Sequence, residues 1–183
     1  MKELRFHGRR LPQYDHTAPF VGAARLLAQA ALAEGKEVQF RPPWLFLRGY
    51  TPEAAHLRVA AESIETYSQE YILDLVAVTD ASILSEVNVT TGLKDTGVLL
   101  VNSPGSVHLN VRSRAAVADL SGIAEQFRVD LALPVAAATV ALSKVVNREA
   151  LKRVVEAETK GANRRKSLQA LEAATQAVEV STR

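Results

Sequence analysis

Two short arginine-bearing segments carry the chemistry most directly assignable in this chain of 183 residues. Gly8-Arg9-Arg10 closes an opening segment in which Leu4 and Phe6 alternate with Arg5 and His7, and Arg48-Gly49 lies in a later stretch rich in proline and aromatic residues. A guanidinium grips a carboxylate or phosphate through two parallel N–H donors, so Arg9, Arg10 and Arg48 suit an oxyanion. The other use of the same residues is a solvated or subunit-contacting basic loop. Trp44, Phe46 and Tyr50, interleaved with prolines, fit either of two roles. They anchor a neighbouring subunit or shape a channel, since aromatic residues and arginine dominate interface energetics, or they pack the loop onto its own sheet.

Other constellations carry less. His7, His16, His56 and His108 are far apart in sequence and show no short metal-ligand spacing, so no metal site is expected. Tyr14-Asp15-His16 are adjacent in a loop, a placement that does not surround one reacting atom, and they read as an ordinary polar loop. Ser103-Pro104-Gly105-Ser106 lacks the Gly-x-Ser-x-Gly elbow of a serine hydrolase and reads as a strand-ending turn. Asn88-Val89-Thr90 matches a glycosylation acceptor only formally. Lys160, Arg164, Arg165 and Lys166 cluster at the start of the last helical segment, where positive charge opposes the helix dipole; they read first as solvated surface, then as a contact for a protein partner, and, lacking interleaved aromatics, last as a contact for RNA. No residue is assigned as catalytic.

Composition narrows the class further. With 48% hydrophobic and 23% charged residues the chain reads as an ordinary globular protein, and its length suits one domain over residues 1–183. The absence of cysteine excludes thiolate-held iron–sulfur clusters, disulfides and a thiol nucleophile in this polypeptide. At a formal charge of +2, nucleic-acid binding would require a strongly clustered basic face and is not expected, and no run approaches a membrane span of about 20 apolar residues, so no membrane partner is expected. The first residues, Met1 to His7, contain no apolar signal core, so a cytoplasmic location is expected.

The elements that must position the arginines follow from hydrophobic period. Leu4 to His7 predicts a strand, Phe20 to Ala33 a helix stopped at Glu34-Gly35, and Lys36 to Phe40 a second strand. Ala55 to Ala61 and Glu62 to Thr66 read as a short hairpin or irregular strands. Ile72 to Val78 and Gly97 to Asn102 are apolar runs suited to buried parallel strands, and between them Asp80 caps a short helix from Ala81 to Glu86. Val107 to Val111 reads as a further strand, followed by a helix capped by Ser113 and running to about Phe127. From about residue 134 to 180 the chain turns helical: Ala136 to Val146, Arg148 to Lys160 capped by Asn147, and Ala162 to Val178. The expected architecture is α/β, a Rossmann-like three-layer domain with a parallel or mixed sheet and a helical C-terminal section.

The order strand–Gly–loop–helix, the apolar strand ending in Thr79-Asp80, and Gly97-Val98-Leu99-Leu100-Val101-Asn102-Ser103 together resemble the gamma subunit of the pyruvate and related 2-oxoacid:ferredoxin oxidoreductases. In that family the opening reads F-x-G-R-G-G-Q-G; this chain has Phe6-His7-Gly8-Arg9 and then departs with Arg10-Leu11-Pro12-Gln13-Tyr14-Asp15. Arg48-Gly49 resembles the family's Arg-Gly pair, whereas Leu131-Ala132-Leu133-Pro134 replaces its late Asn. The resemblance implies a noncatalytic subunit of a complex that oxidatively decarboxylates a 2-oxoacid. Thiamine diphosphate, magnesium and iron–sulfur clusters are then held by partner alpha, beta and delta-type subunits, and ferredoxin or a similar acceptor takes the electrons.

In relatives this domain is associated with delivering coenzyme A. Here Leu11 and Pro12 cannot form the backbone cradle that the glycines provide, because proline lacks an N–H and side chains fill the phosphate's space. Direct coenzyme A contact therefore stays open. So do a subunit that does not use coenzyme A and a standalone nucleotide- or small-anion-binding module on the same scaffold.

Overall fold

Side chains alternate across a strand, and on the first strand this separates an apolar row from a polar one: Leu4 and Phe6 face one way, Glu3, Arg5 and His7 the other. The computed structural model describes residues 1–9, 18–43, 51–66, 68, 71–109 and 111–181. The first strand, β1 (Lys2–Arg9), lies inside a six-stranded sheet with β2 (Glu37–Arg41), β3 (Pro52–Ala60), β4 (Leu73–Val78), β5 (Leu93–Asn102) and β6 (Arg114–Ala118), in the order β2-β3-β1-β4-β5-β6. β1, β4, β5 and β6 run parallel; β3 is antiparallel to both β1 and β2. The sheet is thus mixed.

Helices α1 (Pro19–Ala33), α2 (Leu120–Phe127), α3 (Ala132–Ser143), α4 (Arg148–Glu158) and α5 (Gly161–Ser181) join Leu4, Phe6, Leu57, Leu75 and Leu100 in one large apolar core. The opposite face carries a smaller cluster around Val76, Val78, Leu99 and Val101, covered by Ile83 of a 3₁₀ helix (Ala81–Ser85) and by Leu109 and Val111. α1 ends where Gly35 takes φ 73°, a left-handed conformation in which a side chain would strain. α3 is buried from Ala132 to Val140 on every side, and its small residues let α1 and α5 close over it. Asn147 caps α4 by accepting from the Glu149 N–H at 3.0 Å.

Two segments differ from expectation. Residues 52–60 form one long strand between β2 and β1 rather than a hairpin, because Ala55, Leu57 and Val59 all face the helical core while His56 and Arg58 take the other side. No strand occurs among the described residues of 107–111. The next strand is instead Arg114–Ala118, and Asp119, not Ser113, caps α2 through the Gly122 N–H at 2.7 Å. The alanines of β6 lack β propensity; parallel pairing with β5 from Val98–Arg114 to Asn102–Ala118 overrides it.

Tertiary order on the polar face rests on a buried ion pair. Arg58 is 1% exposed and donates from Nε to Glu3 Oε1 at 2.7 Å, while its other nitrogens reach Gln39 Oε1, the Thr66 carbonyl and the Ser68 carbonyl. Glu3 Oε2 accepts from the Ile72 N–H at 2.6 Å, and the Tyr71 ring lies 4.4 Å from the Arg58 guanidinium. Removing one partner strands the other charge away from water. Glu3→Ala is expected to cost about 3–5 kcal/mol in urea unfolding, whereas Lys2→Ala, at the exposed neighbour, should stay within about 0.5 kcal/mol.

Candidate functional site

Chain direction locates the site before any side chain does. From β1 the chain passes to α1 on the helical face; from β4 it passes to the 3₁₀ helix on the other face. β1 and β4 are parallel neighbours, so the edge beyond Arg9 and Val78 is a topological switch point, where open α/β sheets form the crevice that binds ligands. Arg9 also pairs with Pro52, which makes the chain leaving β1 and the chain entering β3 adjacent at this edge. At α1, the first turn carries no acidic residue and Ala18 provides no side-chain cap.

Gly8 holds this edge by having no side chain. A Cβ there would lie 2.4 Å from Phe20 Cδ1 and 2.6 Å from Thr79 Oγ1, so α1 approaches β1 closely only because position 8 is bare. Thr79 ties β4 to the same place, donating from both N and Oγ1 to the His7 carbonyl at 2.9 and 3.1 Å. Arg9 crosses the crevice floor: its Nε donates to Asp80 Oδ2 at 3.1 Å, its Nη2 to Ser82 Oγ at 3.0 Å, and it pairs with Glu86. Its side chain is 8% exposed, so two carboxylates already share its charge. Of the anion-contact residues read from sequence, Gly8 and Arg9 are therefore side by side at the switch point. Arg10, Arg48 and Gly49, with Trp44, Phe46 and Tyr50, lie outside the described residues.

Sequence reading missed how much of the crevice is braced. Asn102, at the end of β5, is 6% exposed; its Nδ2 donates to the Thr79 carbonyl at 2.9 Å and to Ser121 Oγ at 2.8 Å, and its Oδ1 accepts from the Ser121 N–H at 3.0 Å. One amide thus joins β4, β5 and α2. Asn at the end of an apolar strand was the available signal. Asp80 does cap the following turn, through the Ser82 N–H, and the same carboxylate receives Arg9.

The histidines separate. His56 stacks on Tyr71 with ring centroids 4.2 Å apart and accepts at Nε2 from Arg5 Nε at 3.0 Å. His7 is 8% exposed, and its Nε2 has no hydrogen-bond partner among the described residues. Burial first, and then the Arg5 charge, pushes both imidazoles down to about 4. Both are neutral at pH 7. No group of three histidine, aspartate or glutamate residues that could hold a metal ion occurs among the described residues. Tyr14, Asp15 and His16 lie outside them. Asn88 folds into a local turn with Thr90, and Ser103 accepts from the Gly105 N–H, as loop residues do.

Known proteins share this fold. The family model described as pyruvate ferredoxin/flavodoxin oxidoreductase matches residues 20–179. The chain belongs to that family. Within it, the pyruvate synthase subunit PorC of Methanosarcina barkeri is 36% identical over 127 residues, 68% of this chain and 66% of that one, so the chain spans just under two thirds of this relative's length. The crystal structure of the pyruvate oxidoreductase subunit PORC from Thermotoga maritima superposes with a TM-score of 0.79 at 27% identity, covering 96% of both chains. The 2-oxoglutarate:ferredoxin oxidoreductase of Magnetococcus marinus, solved with 2-oxoglutarate, coenzyme A and succinyl-CoA bound, shares the fold at 14% identity and a TM-score of 0.74; the match takes up 98% of this chain and 31% of that one. The oxidoreductase-family scaffold is thus α/β with a mixed sheet, as its hydrophobic period implied, and no described helix is long and apolar enough to cross a membrane.

Two measurements test the bracing. Gly8→Ala should cost about 1–3 kcal/mol in chemical denaturation, through overpacking against Phe20 and Thr79. For the histidines, the unfolded chain binds protons near pH 6.5 that the native state resists until about 4. Their contribution is therefore complete above pH 6.5 and is lost as pH falls toward 4. In His7→Gln the fall in melting temperature between pH 6.5 and 5 should be shallower than in the wild type.

Proposed function

We propose that this chain is the gamma-type subunit of a multi-subunit 2-oxoacid:acceptor oxidoreductase that oxidatively decarboxylates a 2-oxoacid, in the cytoplasm. The observation carrying the reading is the family match over residues 20–179 together with coverage of nearly the whole Thermotoga maritima subunit. With no cysteine, the chain offers no thiolate for an iron–sulfur cluster. Thiamine diphosphate, magnesium and the clusters then belong to partner alpha, beta and delta-type subunits, and the electrons pass to ferredoxin or a similar acceptor. This chain forms one domain and contributes binding and positioning.

Its ligand edge is the crevice beyond β1. Gly8 and Arg9 set the crevice floor, and Arg10, Arg48 and Gly49 contact the anion, coenzyme A or another phosphate-bearing group. Support comes from the pairing of Arg9 with Pro52, which starts residues 10 onward and ends residues up to 51 at neighbouring points of one edge. The first turn of α1, without an acid or a side-chain cap, adds favourable potential for negative charge there. Trp44, Phe46 and Tyr50 then face a neighbouring subunit. Leu11 and Pro12, replacing the family's glycines, favour a second reading in which the acyl group does not pass to coenzyme A.

Purification of the native protein should bring thiamine-dependent partner subunits with it, and the complex should reduce ferredoxin only when a 2-oxoacid is supplied. An isolated monomer without such partners would sink the assignment. Omitting coenzyme A separates the two readings: strict dependence retains it as acyl acceptor, and full activity without it selects the variant. If it is required, Arg10→Ala with Arg48→Ala should raise its KM by about 10-fold or more with little change in kcat.

A further inference from the structure

The helical layer contains a cleft of about 340 Å³, away from Gly8 and Arg9, whose described lining comes from α1, the α2–α3 connection with the start of α3, the end of α4 and the start of α5. Its floor is apolar, formed by Leu26, Leu133 and Val155, all buried. Three cations surround it. Arg25, Arg128 and Lys166 form no ion pair among the described residues, although the cleft also holds Asp130 and Glu158. Neither acid pairs with these cations: Asp130 Oδ1 accepts from the Ala132 N–H at 2.7 Å and Glu158 Oε1 from Gln29 Nε2 at 2.8 Å, so both stay charged and the three cations outnumber them by one.

One further side chain is open to a ligand. Ser167 lines the cleft, and its hydroxyl has no hydrogen-bond partner among the described residues, which leaves it to bond water or a molecule in the cleft. Arg128 sits at φ 54°, ψ 51°, a left-handed conformation that glycine adopts without strain. α5 adds its N-terminal potential, with no acidic residue in its first turn.

From this geometry we infer that the cleft binds a small amphiphilic anion: an apolar or aromatic body on Leu26, Leu133 and Val155, and a carboxylate or phosphate held by Arg25, Arg128, Lys166 and the Ser167 hydroxyl. The volume and the pairing of an apolar floor with a few convergent polar groups are those of a small-molecule site. The inference stands whether or not the chain works within the proposed oxidoreductase. The occupant is a freely diffusing small molecule, not a side chain of a neighbouring subunit.

Fluorescence titration of the full-length chain with 1-anilinonaphthalene-8-sulfonate supplies both halves of that chemistry in one probe, and uncharged N-phenyl-1-naphthylamine supplies the aromatic half alone. Saturable one-site binding of the sulfonate is expected, with the neutral analogue at least about 10-fold weaker. Arg128→Gly with Lys166→Gln should weaken the sulfonate by about 10-fold or more, and Ser167→Ala by about 3-fold, while Arg165→Gln leaves it unchanged. Arg128→Gly removes left-handed strain, so its melting temperature should not fall; the exposed single change Arg25→Gln provides the charge test if the double variant fails to fold. Equal binding of the neutral analogue, or unchanged affinity in folded charge variants, would overturn the inference and leave an apolar patch. So would loss of sulfonate binding in the purified native complex, which would assign the cleft to a neighbouring subunit.

Discussion

The distance between the helical layer and the sheet is set by Phe20 resting on the bare backbone of Gly8. Everything at the crevice follows from that contact. α1 begins beside the end of β1, its first turn faces the switch point, and Thr79 reaches the His7 carbonyl across the same gap. A methyl group at position 8 would push against Phe20 and Thr79 together, so the edge that positions Arg9 and the helix that covers the core share one steric condition. The glycine that reads in sequence as part of an anion loop is, in the fold, a packing residue.

Charge is arranged around the same edge in two distinct ways. Arg9 is compensated within the chain by Asp80 and Glu86 and behaves as a brace between β1 and the turn after β4. On the polar face Arg58 is compensated by Glu3, and the remaining guanidinium donors are spent on carbonyls. Neither arginine therefore offers a free charge of the kind that oxyanion recognition needs. Arg25, Arg128 and Lys166 differ because no carboxylate pairs with them among the described residues, and they flank an apolar floor. Arginine as a residue type says little about its task; the number of acids within reach decides it.

Much of the fold was legible because hydrophobic period is a local signal. The strands ending at Val78 and Asn102, α1 with its Gly35 stop, and the Asn147 cap are all written in consecutive residues. What failed was decided at a distance. β3 reads as broken because His56 and Arg58 interrupt its apolar residues, yet those two are satisfied by Arg5, Tyr71 and Glu3, far away in the chain. β6 reads as helix because alanines dominate it, and only pairing with β5 makes it a strand. At the crevice, Gly8 and Arg9 were legible as residues but not as roles, since the roles depend on Phe20 and Glu86. The Ser167 cleft left no local mark, because its lining is drawn from four separate segments.

α3 is enclosed on all sides by side chains of the helical layer and sheet, from Ala132 to Val140. Such a helix has no outward surface on which to vary, so what governs each position is volume and not polarity. It serves as a spacer of fixed thickness between α1 and α5, the two helices that also wall the cleft. Enlarging Ala136, Ala137 or Ala138 would move both walls at once and change the width of a binding site that none of the three lines.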